Sequence, residues 1–383
     1  MELGLLFIIF ELLLKQHTIC IVEEAYSIFK LTNKYLLRSL VYVVFLCVVG
    51  LFLGTNAYAQ DPQYSQYYAA PLYLNPAFAG SELTGRVGFN YRNQWPSIDA
   101  QFTTFSAYYD TYLNDYNSGI GVMVMQDTEG ASKLRSTTIS ALYSYELKLS
   151  DKMYFRPGFQ ASYIRREIGF YENLIFANQI NPNDPFGPIF PGEDIAGLGD
   201  PVNMLSLSFG GLFFTEDFWI GGSAHHVNQP NQSFIDGDSP LPVKFSAHAG
   251  YRISLGEGSM RGDFTHMRRE RYFTPTINYK KQGPFEQLDV GAYFYVEPIV
   301  FGVWYRGLPY KKVEEQSNRD AIVMMVGLNL LSGLNVGYSF DYTVSQLGIQ
   351  SGGAHELSLS WTLPNSNQGK PQRRDTLLPC PKF

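Results

Sequence analysis

The hydrophobic and polar positions of residues 333–363 alternate strictly. Leu334, Val336, Tyr338, Phe340, Tyr342 and Val344 fall on one face, and Asn335, Gly337, Ser339, Asp341 and Thr343 on the other. A second run sets Leu357, Leu359, Trp361 and Leu363 against Glu356, Ser358, Ser360 and Thr362. Successive side chains of an extended strand point to opposite faces, so this is a hairpin with one hydrocarbon face and one polar face. The same period predicts strands over 86–94, 102–111, 119–125, 135–149, 153–165, 202–214, 218–227, 242–255, 271–280, 287–296, 299–307 and 320–331. With the closing hairpin this makes about fourteen strands, an even number, as in bacterial single-chain membrane barrels.

The connections sort by length. Ser150–Lys152, Thr215–Asp217, Glu297–Pro298 and Ser332–Gly333 are tight and fall at one end of the strands, assigned to the periplasm. Residues 95–100, 127–134, 166–201, 228–241, 309–319 and 345–353 fall at the other, outer end, and 256–270 is a long exception on the periplasmic side. A β-sandwich has no reason to sort its loops this way and leaves sheet edges to protect. The reading is therefore an all-β transmembrane outer-membrane β-barrel over 84–363, in contact with outer-membrane lipid.

Before the barrel, Lys34 and Arg38 precede an apolar run over 39–53, and Ala57-Tyr58-Ala59 supplies the small residues of a signal peptidase site. A signal peptide over 34–59, cut between Ala59 and Gln60, is expected. The apolar run is shorter than the roughly 20 residues of a spanning helix, which argues against a membrane anchor. Residues 1–33 read as an N-terminal extension, residues 60–83 as a periplasmic or lumenal N-terminal segment, and 364–383 as a polar periplasmic C-terminal tail.

Composition supports export to a membrane. Tyr 27 and Phe 28 are heavy aromatic use, and 17% charged residues is below the roughly 25% of soluble proteins, as interfacial aromatic girdles would require. Once the leader is removed Cys380 stands alone, so no internal disulfide is expected. A formal charge of -6 with scattered basic pairs leaves no footprint for nucleic acid. His225-His226 and His355-Glu356 lack the spacing of a zinc site and read as ordinary barrel positions; no catalytic residue, metal or cofactor is expected. Gly210-Gly211 and Gly221-Gly222 lie within strands, where glycine relieves crowding.

The segments DPQYSQYYAAPLYLNPAFAG at 61–80, YRNQWP at 91–96, GYSFDYTVSQL at 337–347, GGAHELSLSW at 352–361 and CPKF at 380–383 together resemble the PorP/SprF family of type IX secretion system outer-membrane proteins. The resemblance spans the chain after the leader. It implies a barrel that helps export or anchor cell-surface proteins, such as gliding adhesins. It also implies as partners exported proteins with C-terminal targeting domains, and periplasmic motor-ring or peptidoglycan-binding components.

Three segments are candidate sites. Gln63, Tyr64, Ser65, Gln66, Tyr67, Asn75, Pro76 and Gly80 form a family motif that either enters the lumen as a plug or docks a partner below the membrane. Arg92, Gln94 and Trp95 at the top of strand one hold an outer loop, contact a client or belong to the aromatic girdle. Arg373, Arg374, Cys380 and Pro381 are candidates for binding a periplasmic component. The competing function is a passive porin or small-solute transporter, for which Glu146, Lys148, Asp289, Arg306 and Asp341 would line a wet lumen.

Overall fold

In the computed structural model of the chain, described for residues 60–82, 84–98, 102–130, 132–169, 200–234, 237–256, 270–313, 316–330, 332–345, 348–364 and 378–380, fourteen antiparallel strands close into a barrel. The strands are β1 (Arg86–Gln94), β2 (Phe102–Leu113), β3 (Ser118–Glu129), β4 (Leu134–Tyr145, continued by Leu147–Ser150), β5 (Met153–Ile168), β6 (Val202–Phe214) and β7 (Phe218–His225). There follow β8 (Lys244–Tyr251, continued by Ile253–Ser254), β9 (Arg271–Gln282), β10 (Phe285–Val296), β11 (Ile299–Val313), β12 (Gln316–Asn329), β13 (Leu334–Thr343) and β14 (Ala354–Thr362). Each strand pairs with its neighbours in sequence, β8 with β9 through Gly250↔Thr276 among others. β1 closes on β14 from Arg86↔Thr362 to Gln94↔Ala354. The leader, the extension before it, Arg373, Arg374 and Pro381 lie outside the described residues.

The two faces are inverted relative to a soluble protein. Val122, Leu205 and Phe301 are 54%, 57% and 49% exposed on the outer wall, whereas Asn278, Asp289 and Arg306 are 0%, 0% and 1% exposed inside. An apolar outer belt of this extent is stable only against hydrocarbon, and a closed sheet leaves no backbone edge unpaired within the membrane. Most strands reach the roughly 9–11 residues that a tilted transmembrane strand needs.

The strand pattern holds with two corrections. Residues 309–319, expected as a loop, instead continue β11 to Val313 and begin β12 at Gln316, with register shifts at Arg306/Gly307 and Leu308/Lys312. The hairpin runs on past its pairing with β10, which ends at Asp289↔Arg306. Lys148 keeps the inward phase of β4 but lies beyond the last lumenal contact; its side chain is 45% exposed and bonds Asp151 of the turn at 3.2 Å.

Candidate functional site

The lumen is filled by the chain that precedes β1. Residues 61–82 lack alternation, and their prolines and tyrosines fold into a four-residue helix α1 (Pro71–Leu74) and a 3-10 turn (Pro76–Phe78). Asn75 joins them: its N–H donates to Pro71 O at 3.1 Å, and its Oδ1 accepts from Ala77 N at 2.9 Å. Ser65, Gln66, Leu72, Asn75, Ala77 and Phe78 are all fully buried.

Four contacts seat this plug, beginning at the end of the barrel away from the tight turns. Asp61 Oδ2 lies 2.8 Å from both His226 Nε2 and Lys244 Nζ, and Asp61 N donates to Gln282 Oε1 at 2.9 Å. Burial alone would raise the Asp61 pKa, but the charges of His226 and Lys244 outweigh it and hold the carboxyl well below its usual range.

Deeper, the Ser65-Gln66 pair is gripped by ions from four strands. Glu356 on β14 accepts from Ser65 N at 2.7 Å and Gln66 N at 3.0 Å. The Ser65 hydroxyl donates to Asp341 at 2.6 Å and accepts from Arg92 at 2.6 Å and Arg306 at 2.8 Å. Arg92 also pairs with Asp341 (2.8 Å) and Glu356 (3.1 Å), and Arg306 with Asp341 (2.8 Å) and Asp289 (3.0 Å). Gln66 Nε2 reaches Ser339 Oγ at 3.2 Å, and its Oε1 accepts from Ser358 at 2.7 Å. Two guanidiniums held apart by three carboxylates suit a small hydroxyl, which can donate once and accept twice.

The third contact is made by backbone. Asn75 Nδ2 donates to Gly211 O and Gly222 O, both at 3.1 Å. Three inward glycines leave room for the plug: a Cβ would lie 1.9 Å from Ala79 O at Gly119, 2.3 Å from Ala77 N at Gly158 and 2.0 Å from Asn75 Oδ1 at Gly210. Between these points Tyr67, Tyr68, Leu72 and Phe78 pack in one cluster with Trp219, Tyr293 and Trp304 of the wall, and Trp219 Nε1 donates to Tyr68 OH at 2.8 Å.

The fourth contact lies at the end of the barrel that carries the tight turns. Arg156 donates to Gly80 O (3.0 Å), to Ala79 O and to Ser144 Oγ (2.7 Å), and Asp110 accepts from Gly80 N (2.8 Å) while bound by Arg86 at 2.9 Å.

The candidate residues therefore separate. Ser65, Gln66, Asn75 and Gly80 meet the lumen wall directly, Tyr64 packs edge-on against Tyr73 with ring centres 5.5 Å apart, and Tyr67 OH shares a hydrogen bond with Thr276 at 2.8 Å. Arg92 points inward and donates to Gln94 Oε1 at 3.1 Å, so neither offers its polar group to the outer surface. Trp95, in the left-handed region at φ 58°, donates its N–H to Gly353 O at 2.8 Å and meets Phe102 edge-on, tying the first loop to the last hairpin. In the tail, Leu378 is 4% exposed within the lumenal cluster and Cys380 packs against it. Sequence reasoning missed Glu356, Ser358, Asp110 and Arg156. Their signal was present as charged or hydroxyl residues on the inward phase of otherwise regular strands.

A family model described as "Type IX secretion system membrane protein PorP/SprF" matches residues 56–361. No curated protein sequence matches. Among solved structures, a CymD monoaromatic hydrocarbon channel aligns at 13% identity over 78% of this chain and 93% of that one, with a TM-score of 0.40. A TodX channel mutant aligns at 10% identity over 76% and 92%, with a TM-score of 0.38. A KdgM porin aligns at 9% over 73% and 99%, with a TM-score of 0.30. Likenesses this distant carry no argument about the chain.

Proposed function

The chain belongs to the PorP/SprF family of type IX secretion system membrane proteins, and we propose that it serves that machine as a sealed docking barrel. It is a protein of the outer membrane of a Gram-negative bacterium and helps export or anchor cell-surface proteins; members of the family are transport and anchoring barrels, not enzymes. Its partners are cargo and components of the secretion machine. More specifically, exported proteins with C-terminal targeting domains dock at the outer loops and rim, while motor-ring or peptidoglycan-binding components meet the periplasmic turns and tail.

The observation that supports docking over conduction is the filled lumen. Ser65 and Gln66 lie at its centre under a closed ion network, and Asn75 to Gly80 bond to the wall below them. A porin would need that space for water.

Comparing the surface and medium proteomes of wild-type and gene-deleted cells tests this reading. Selective loss of a few large surface proteins supports client docking, and loss of every exported client supports a core role. Unchanged export with reduced uptake of a solute overturns both.

A further inference from the structure

Among the described residues the buried acids of the lumen are paired, except Asp127 and the half-buried Glu129 beside it. Asp110, Glu146, Asp289, Asp341 and Glu356 each lie within 3.4 Å of a guanidinium, and Asp61 lies 2.8 Å from the Lys244 ammonium. Asp127 is 2% exposed, and Glu129 follows it two residues on along the same inward face of β3. Neither has a Lys or Arg within 4.0 Å among the described residues; Arg166, which lines the same space and donates to Gln232, acts on both from beyond that distance. A buried carboxylate without a cation in contact is costly, and a second carboxylate beside it adds to the cost.

Both acids line a cleft at the outer end, between Asp61, Pro62 and Tyr73 of the plug and the inner faces of β3 to β8, whose lining also includes Arg166 and Lys244. The cleft holds further unmet polar groups. Gln160 Oε1 and His225 Nε2, on residues 5% and 4% exposed, line it without a hydrogen-bond partner among the described residues. Met123, Met125 and Met204 supply an adaptable apolar wall beside them. Two carboxylates are too few for a calcium shell of six to eight oxygens.

We propose that this cleft receives a Lys or Arg side chain from an extended polypeptide segment presented at the outer face. The charged head sits at Asp127 and Glu129, the aliphatic stem lies along the methionines, and main-chain amides meet Gln160 Oε1 and His225 Nε2. This rests on the reading that the barrel docks exported proteins, and gives that docking a chemical preference.

The test uses purified barrel in detergent and fluorescent, end-blocked peptides identical except for a central Lys, Arg, Leu or Glu, with binding read by anisotropy. The Lys and Arg peptides bind at least about tenfold more tightly than the others, salt weakens them, and Asp127→Asn and Glu129→Gln each remove the preference. Glu129→Gln keeps the Thr104–Asp127 bond of 2.6 Å and so guards against a variant that merely misfolds. Equal binding of all four peptides, or a basic preference that survives both substitutions, overturns the proposal. So does calcium binding that the two substitutions abolish with no peptide bound by the wild type. If gene deletion removes surface clients while Glu129→Gln cells export and retain them normally, the docking reading stands and the cleft assignment falls.

Discussion

Replacing Arg306 with Met removes one cation from a buried set that balances. Arg92, Arg306 and Lys280 face Asp289, Asp341 and Glu356, three charges of each sign, with the partly exposed Asp320 carboxylate 4.0 Å from Arg306 at the edge of the set. After the substitution the set carries a net negative charge. Asp289 retains Lys280 only at 3.8 Å, and the Ser65 hydroxyl loses one of its two guanidinium donors. Breaking a buried pair by removing one partner costs about 3–5 kcal/mol, a factor of roughly 10²–10⁴ in the ratio of seated to unseated plug. Two assays read it: the heat-unfolding midpoint of the barrel in detergent, and conductance in planar bilayers. Wild type stays closed, whereas Arg306→Met melts lower and shows intermittent openings. Adding Asp289→Asn restores the balance and recovers part of both losses, a coupling that a double-mutant cycle isolates. A single variant as stable and as closed as wild type would refute the idea that this network holds the plug. A double variant no better than the single would refute charge balance as the cause.

Gly119→Ala places a methyl 1.9 Å from Ala79 O and is expected to lower the midpoint by about 1–3 kcal/mol equivalent, whereas Gly222→Ala, whose nearest neighbour is Ser246 O at 3.5 Å, leaves it unchanged. Because the folded Asp61 carboxyl is held below its unfolded value, its contribution is complete above about pH 4 and is lost as pH falls through the folded value. Hydrogen exchange at residues 61–64 therefore rises only in strong acid, and Asp61→Asn abolishes that dependence. Val122→Arg sets a charge on the outer wall near the centre of β3 and costs about 2–4 kcal/mol when the barrel is refolded into lipid, measured by denaturant titration.

The wall was legible because its rule is local. β1 and β6 begin and end where alternation does, at Arg86–Gln94 and Val202–Phe214. The rule failed at 309–319, whose charges and proline resemble a loop, although the backbone continues as paired strands with register shifts. The filling was illegible for a different reason. Ser65 bonds Glu356 across a sequence separation of 291 residues, and nothing near Ser65 announces that partner. Glycines at Gly210 and Gly221 signalled crowding but not what crowds them: the Asn75 carboxamide at one and the His248 ring at the other. Arg92 resembled a rim residue because it stands two positions from the end of β1, while its inward phase was the truer guide.

The seam between β1 and β14 gives the order of events in biogenesis. The plug is the first part of the barrel domain to be synthesised, and Glu356, its main-chain anchor, belongs to the last strand. Until that strand arrives, the Arg92 guanidinium lacks part of its counter-charge, and the main-chain N–H groups of Ser65 and Gln66 lack their Glu356 acceptor. The plug is therefore fully seated only when the sheet closes around it, as staves around a mandrel. Completion of the wall and correct loading of its interior become one cooperative step. An assembly factor that senses only whether the last strand has paired thereby also inspects the inside.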